Sequence, residues 1–218
     1  MAIRVYIIDD HALVRTGMRM ILSGETDIEV VGESESGDLG LPEVRRLKPD
    51  LVLCDLHLPG MSGLEVTERI VRGQLARVII VSVLEDGPMP RRLLDSGALG
   101  YVGKGGEPAE LLAAIRTVAR GKRYLASSVA QRLAFAVMEG RGSPFEALSP
   151  RELEVTMLLV QGLRQEEIAR RLSLSPKTVS THKRRLYEKL GIEDPIALAR
   201  LADRHGLSDP AGRSTPDA

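Results

Sequence analysis

Asp9 and Asp10 close the first apolar run of the chain, Asp55 closes another, Ser82 a further one, and Lys104 follows the short run Gly100–Val102. If these runs are parallel strands of one sheet, the five groups meet on one rim. In a doubly wound sheet, ligands sit beyond the carboxyl ends of the strands. Three carboxylates in one place repel each other and need a cation. Oxygen-only ligands favour a hard ion such as Mg²⁺, which keeps several waters and takes phosphate oxygens as further ligands. With the charge of a transferring phosphoryl group neutralised, a carboxylate is left to act as nucleophile. Lys104 would be a point charge on the phosphoryl group, and Ser82 a hydrogen-bond donor to it. An Asp-Asp pair alone is usually a solvated turn; the convergence of five groups carries the reading. Cys54 alternates to the opposite side of its strand from Asp55 and reads as a small buried hydrophobe. His11 and His57 adjoin the site without zinc-like spacing. Tyr101 by itself reads as core.

The elements that must position these groups alternate. Strand-like runs cover Ile3–Asp9, Glu29–Glu33, Leu51–Asp55, Val78–Ser82 and Gly100–Val102, with helix-like segments between them and after the last. Near-continuous apolar strands alternating with helices predict a five-stranded parallel sheet, doubly wound, with helices on both faces. Ser127–Met138 has the pattern of an extra helix, and Glu139–Pro144 that of a flexible linker. No strand signal follows. Four helical stretches come instead. Ser149-Pro150-Arg151-Glu152 combines an N-cap, an N1 proline and a capping-box glutamate, and Ser175-Pro176 and Asp194-Pro195 repeat the cap-plus-proline start. The fourth lies around Gln165–Leu172. The tail 208–218 is rich in Pro, Gly, Ser and Asp and is expected to be disordered.

The arrangement Asp9-Asp10-His11, Asp55-Leu56-His57-Leu58-Pro59-Gly60, Ser82 and Tyr101-Val102-Gly103-Lys104 resembles the receiver domain of two-component response regulators, over about residues 1–122. The resemblance implies that Asp55 is the phosphoacceptor. It implies Mg²⁺ held by Asp10, Asp55 and the backbone carbonyl of His57, with Asp9 assisting. Ser82 and Tyr101 would be a switch pair, Tyr101 rotating into space that Ser82 vacates, and Lys104 would contact the phosphoryl oxygens. Ser82 stands where threonine is common, and Gly105 follows Lys104 where many receivers carry proline.

The second half offers a different chemistry. Ile168–Val179 reads as helix, short turn and capped helix. On the second helix Val179, Leu186 and Leu190 share a face, flanked by His182 and the Lys183 stem, and would pack on the preceding helices. The opposite face carries Lys177, Thr181 and Arg184, with Ser180 and Arg185 at its edges. A packed back and a basic, hydrogen-bonding front suit the major groove of DNA. Arg184 could reach a guanine, and Thr181 or Ser180 a base edge. Lys177, Lys183, Arg185 and Lys189 suit phosphates, and Thr178, in the first turn, joins the contact set. The stretch Leu148–Leu190 resembles the LuxR-type (NarL/FixJ-class) helix-turn-helix, over residues 148–207, with 123–147 as linker. In that class the last helix, here about Pro195–Arg204, commonly forms a dimer contact through residues such as Ile196, Leu198, Ala199, Leu201 and Ala202; some of these must instead complete the core. Gly121–Ala126, Ser143-Pro144-Phe145 and Leu201-Ala202 with Arg204–Leu207 are similar to the GacA/UvrY class of global regulators. That class implies a GacS/BarA-like hybrid sensor histidine kinase as phosphodonor, and targets that include small regulatory RNA genes.

Composition bounds these readings. The 218 residues allow two domains. No apolar run approaches the roughly 18 residues of a membrane span, and a single cysteine excludes an internal disulfide, so a bacterial cytoplasmic protein is expected. The chain is neutral overall, yet Pro150–Leu190 holds nine basic and five acidic residues, net +4, leaving −4 for the rest. The expected whole is a phosphorylation-activated transcription regulator with a homodimer on double-stranded DNA, RNA polymerase as a further partner, and no enzymatic turnover. Two rivals come from other classes. Aspartyl-phosphate phosphohydrolases share the Asp, Mg²⁺ and Lys set, but carry a second acid two residues after the nucleophile, where this chain has His57. A phosphorylation-dependent regulator whose helical domain binds protein would lack salt-sensitive binding to duplex DNA.

Overall fold

The computed structural model describes residues 2–83, 89–138, 143–205 and 207. They divide into two compact units, one built from residues 2–83 and 90–131, the other from Arg132 onwards.

The first unit alternates β1 (Ile3–Ile8), α1 (Ala12–Ser23), β2 (Ile28–Ser34), α2 (Gly37–Leu47), β3 (Leu51–Asp55), α3 (Gly63–Arg72), β4 (Arg77–Ser82), α4 (Met89–Asp95), β5 (Gly100–Gly103), α5 (Pro108–Ala119) and β6 (Tyr124–Leu125), and α6 (Ser127–Met138) follows. The sheet order is β2-β1-β3-β4-β5-β6, and every pair is parallel. All five residues of β3 are buried, as expected of a central strand covered on both faces. The order reverses at β1, which has β2 on one side and β3 on the other, and this switch point is where such a sheet opens a crevice. Ile8 is registered with Cys54, so Asp9 emerges beside Asp55. Val5, Ile7, Leu53, Val81, Val102, Ile115 and Val118 belong to one buried cluster.

The sheet has six strands, one more than the sequence pattern predicts. After α5, Gly121 takes φ +76°, a left-handed value that glycine adopts without strain. The chain then runs beside β5. The Tyr124 amide donates to the Leu99 carbonyl (2.9 Å), and the Ala126 amide to that of Tyr101 (3.0 Å). Two residues carry no readable period, so this strand leaves no hydrophobic signature. Ala126 and Val129, just beyond it, are fully buried.

The second unit holds a 3₁₀ turn (Pro144–Ala147), α7 (Pro150–Val160), α8 (Gln165–Arg171), α9 (Pro176–Leu190) and α10 (Pro195–Arg204). Its starts are the capped ones the sequence marks. The Ser149 hydroxyl accepts from the Glu152 amide, and the Glu152 carboxylate accepts from the Ser149 amide at 2.7 Å, a closed capping box. Ser175 caps α9, and Asp194 caps α10 at 2.8 Å. The turn between α8 and α9 passes through Ser173 at φ +53°, and Gly191 at φ +63° ends α9. Phe145, Leu153, Val155, Ile168, Val179, Leu186, Leu198 and Ala202 form a buried apolar set. Residues 139–142 of the expected linker and 208–218 of the expected tail lie outside the described residues. No described helix is long and apolar enough to cross a membrane.

Candidate functional site

At the carboxyl rim of the sheet, Asp9 (end of β1), Asp55 (end of β3) and Lys104 (just after β5) meet. The Lys104 ammonium lies 2.8 Å from Asp9 Oδ2 and 2.8 Å from Asp55 Oδ2. The Asp9 side chain is fully buried, that of Asp55 is 2% exposed and that of Lys104 11%. Burial works against the ammonium, but the charges of Asp55 and Asp9 outweigh it and hold Lys104 above its ordinary value. Asp55 Oδ1 accepts from the Leu56 amide at 2.7 Å, which fixes the carboxylate's rotation. Asp9 Oδ1 accepts from the His11 amide at 2.8 Å, and His11 Nδ1 lies 2.7 Å from Asp10 Oδ1. Asp9, Asp10, His11 and Asp55 each bring a possible ligand atom within 4.8 Å of the others.

The backbone beneath Asp55 is clamped by α3. Gly63 donates its amide to the Leu56 carbonyl at 3.0 Å, and a Cβ on Gly63 would lie 2.0 Å from the Asp55 carbonyl oxygen and 2.7 Å from Leu56 Cα. Only glycine permits that approach. This positioning residue carries no chemistry of its own, and only the close approach of two backbones reveals it.

Asp9 and Asp55 face one ammonium, and Asp10 stands beside them with His11 at 2.7 Å, so the rim gathers three carboxylates in a largely buried pocket. That donor set fits a hard divalent cation. Ser82 is fully buried at the end of β4, and Tyr101 is fully buried on β5. Register pairs Tyr101 with Ile80 and Ser82 with Gly103, so the position beside Ser82 on β5 holds no side chain. Cys54 is registered with Ile80 and Asp55 with Val81, on alternate faces. Burial pushes the Cys54 thiol well up, which makes it inert. His57, whose backbone carbonyl the sequence reading assigns to the metal, is half-buried in the loop after β3.

On α9 the predicted contact residues divide. Lys177, Ser180, Arg184 and Arg185 are exposed, opposite the buried Val179 and Leu186. Thr181 donates its hydroxyl to the Lys177 carbonyl at 3.0 Å, and Thr178 Oγ1 lies 2.8 Å from Ser175 Oγ at the cap. The Lys183 ammonium sits 5.4 Å from the Tyr187 ring centroid. Arg184 donates to Glu188 at 2.9 Å. Lys189 donates to Glu152 at 2.6 Å and ties α9 to the capping box of α7. Arg151 bridges Glu154 and the Leu172 carbonyl, both at 2.7 Å, and so ties α7 to the end of α8. These two links, 37 and 21 residues long, have no local sequence signal. On α10, Leu198 and Ala202 are buried, and Ile196 and Ala199 are exposed.

Residues 5–116 match the response regulator receiver domain, and residues 146–202 match the bacterial regulatory proteins of the luxR family. The chain belongs to the response regulators with a LuxR-type domain. It is similar to response regulator GacA of Pseudomonas viridiflava, at 43% identity over 95% of this chain and 98% of that one. It is similar to response regulator UvrY of Escherichia coli, at 41% identity over 94% and 95%. Among solved structures it resembles RcsB of Salmonella enterica serovar Typhimurium, bound to promoter rprA in the presence of the phosphomimetic BeF3−, with TM-score 0.69, 28% identity, and 93% and 99% coverage. Another Salmonella typhimurium RcsB structure gives TM-score 0.73 at 29% identity, covering 94% and 98%. The parallel sheet and the four-helix unit of this response regulator are thus those of its family.

Proposed function

We propose that this response regulator takes a phosphoryl group on Asp55 from a sensor histidine kinase, and that phosphorylation promotes its binding to duplex DNA and its control of transcription. The observation that carries the reading is the Lys104 ammonium set 2.8 Å from both Asp9 and Asp55. It marks Asp55 as a buried carboxylate with a cation ready for the charge a phosphoryl group brings. An Asp55 oxygen attacks the phosphorus of a phosphohistidine, the P–N bond breaks, and the histidine leaves. Lys104 then pairs with the phosphoryl oxygens, and the Ser82 hydroxyl donates to one of them. Asp10, Asp55 and the His57 carbonyl, with Asp9 beside them, would hold Mg²⁺, which neutralises charge on the phosphoryl oxygens when bound. Drawing Ser82 towards the phosphoryl group opens space beside Gly103 for the Tyr101 ring, and this shifts the population towards the active form.

The output is assigned to α9, with Arg184 and Ser180 towards base edges and Lys177 and Arg185 towards phosphates. RcsB, the structural relative, is bound to promoter DNA, which supports the reading. The exposed Ile196 and Ala199 of α10 supply a surface for a homodimer on DNA. By relation to GacA and UvrY, the phosphodonor is a GacS/BarA-like hybrid kinase, the targets include small regulatory RNA genes, RNA polymerase is a partner, and the protein works in the bacterial cytoplasm.

The test is duplex-DNA binding by the full chain in Mg²⁺, with and without beryllofluoride, for wild type and Asp55→Ala. Beryllofluoride should tighten wild-type binding and leave the variant unchanged. Equal binding in all four conditions would remove the coupling. Absence of binding even to a genomic pool would favour a protein-binding output.

A further inference from the structure

The exposed face of α9 includes one residue that its proposed task does not explain. Glu188 is exposed with Lys177 and Arg184, opposite the buried Val179 and Leu186. A carboxylate there repels the phosphates of any duplex the helix approaches. Helix stability does not account for it. Glu188 lies in the last turns of α9, where an acidic side chain opposes the helix dipole. Its partner Arg184 precedes it by four residues, the less favourable order for such a pair. Both side chains are exposed, 69% and 59%, so their ion pair contributes little to folding. Yet Arg184 Nη1 donates to Glu188 Oε1 at 2.9 Å. A guanidinium held through Nη1 keeps Nε and Nη2 as a fork, the geometry that meets O6 and N7 of a guanine.

We infer that Glu188 is a specificity-determining residue that acts through Arg184. It orients the guanidinium for a guanine and keeps it from swinging onto whichever phosphate is near. The protein gives up general affinity for DNA and gains discrimination at one base pair. This rests on the DNA-binding reading of α9, and Glu188 itself touches no base.

Enrichment from a random duplex pool, followed by binding to the enriched and a scrambled duplex, tests it with the full chain as wild type, Glu188→Gln and Arg184→Ala. Glu188→Gln should lose about fivefold or more of the preference for G·C at the same base pair that Arg184→Ala affects. Its binding to the scrambled duplex should tighten about threefold. Glu188→Ala should behave alike, and since both side chains are exposed, thermal melting should be unchanged. Preference retained at that base pair, or lost at a different one because Glu188 reads a base itself, would overturn the inference. If the wild type enriches no motif, the DNA-binding reading of α9 fails first and this inference falls with it.

Discussion

Lys104 is where single residues matter most in the receiver. Its ammonium offsets two buried carboxylates, and removing it leaves Asp55 without that countercharge and Asp9 with only the His11 ring at 3.6 Å. Lys104→Met should therefore lose about 3 kcal/mol of stability in a chelator. Millimolar Mg²⁺ should restore much of that loss, because a dication can replace the missing charge. Urea denaturation with and without Mg²⁺ measures this, and an equal loss in both conditions would count against a cation site here. Gly63 is the backbone counterpart. Gly63→Ala drives a methyl group into the Asp55 and Leu56 backbone, which has no rotamer to yield. It should cost about 3 kcal/mol or more and abolish phosphoryl uptake, read by melting and by mobility shift with a small phosphodonor. The two cases differ in how visible they are from the sequence. Asp9, Asp10, Asp55 and Lys104 stand at the ends of apolar runs, so a parallel sheet alone is enough to gather them. Gly63 is a loop-to-helix glycine like many others until the sheet and α3 are in place.

At the scale of elements, α7 and α9 are joined by charge. Glu152 is buried. Burial opposes its charged form, but the Lys189 hydrogen bond and the bonds from Ser149 outweigh this and hold the carboxyl below its ordinary value of 4.5. A carboxyl lowered in the folded state adds stability above its unfolded value, and that stability is lost as pH falls through the folded one. His182, on α9, acts in the same direction from a higher pH. Partial burial, with Arg151 and Arg185 nearby, depresses its imidazole below 6.5 despite Glu152 and Glu154. Folding therefore favours neutral His182, and stability falls as pH drops from about 6.5 towards the lowered value. Hydrogen exchange at α7 and α9 amides should show protection falling in two stages with acid. His182→Gln should remove the upper stage and Glu152→Gln the lower, and one unchanged stage in both variants would refute the assignment. The cap residues of both helices are legible in the sequence because capping is local. The Lys189–Glu152 link spans 37 positions and is not.

At the scale of the molecule, a neutral chain with a +4 segment relies on local charge to meet DNA. Each lysine or arginine that displaces a counterion should steepen the salt dependence of binding by about 0.9 in log–log slope. Lys177→Ala and Arg185→Ala should each lower the slope by about that much. Lys189→Ala should change it less and instead lower the stability of the helical unit, because its ammonium is already held by Glu152. Binding titrations across a salt series separate these outcomes. The division into a parallel α/β unit and a helical unit is readable from the switch in periodicity near residue 120. The sixth strand is not, since its two residues are placed by β5 and by the left-handed turn at Gly121.

That short strand also sets how much slack the chain has. While the Tyr124 and Ala126 amides stay bonded to the Leu99 and Tyr101 carbonyls, the six residues from Gly121 to Ala126 are held against the receiver. Peeled away together with Val129, which is buried just beyond them, they would add up to about 20 Å of chain, at roughly 3.3–3.6 Å per residue. One of the bonds that hold them ends on the carbonyl of Tyr101 itself. The length of chain free of the receiver would then be metered by a strand two residues long.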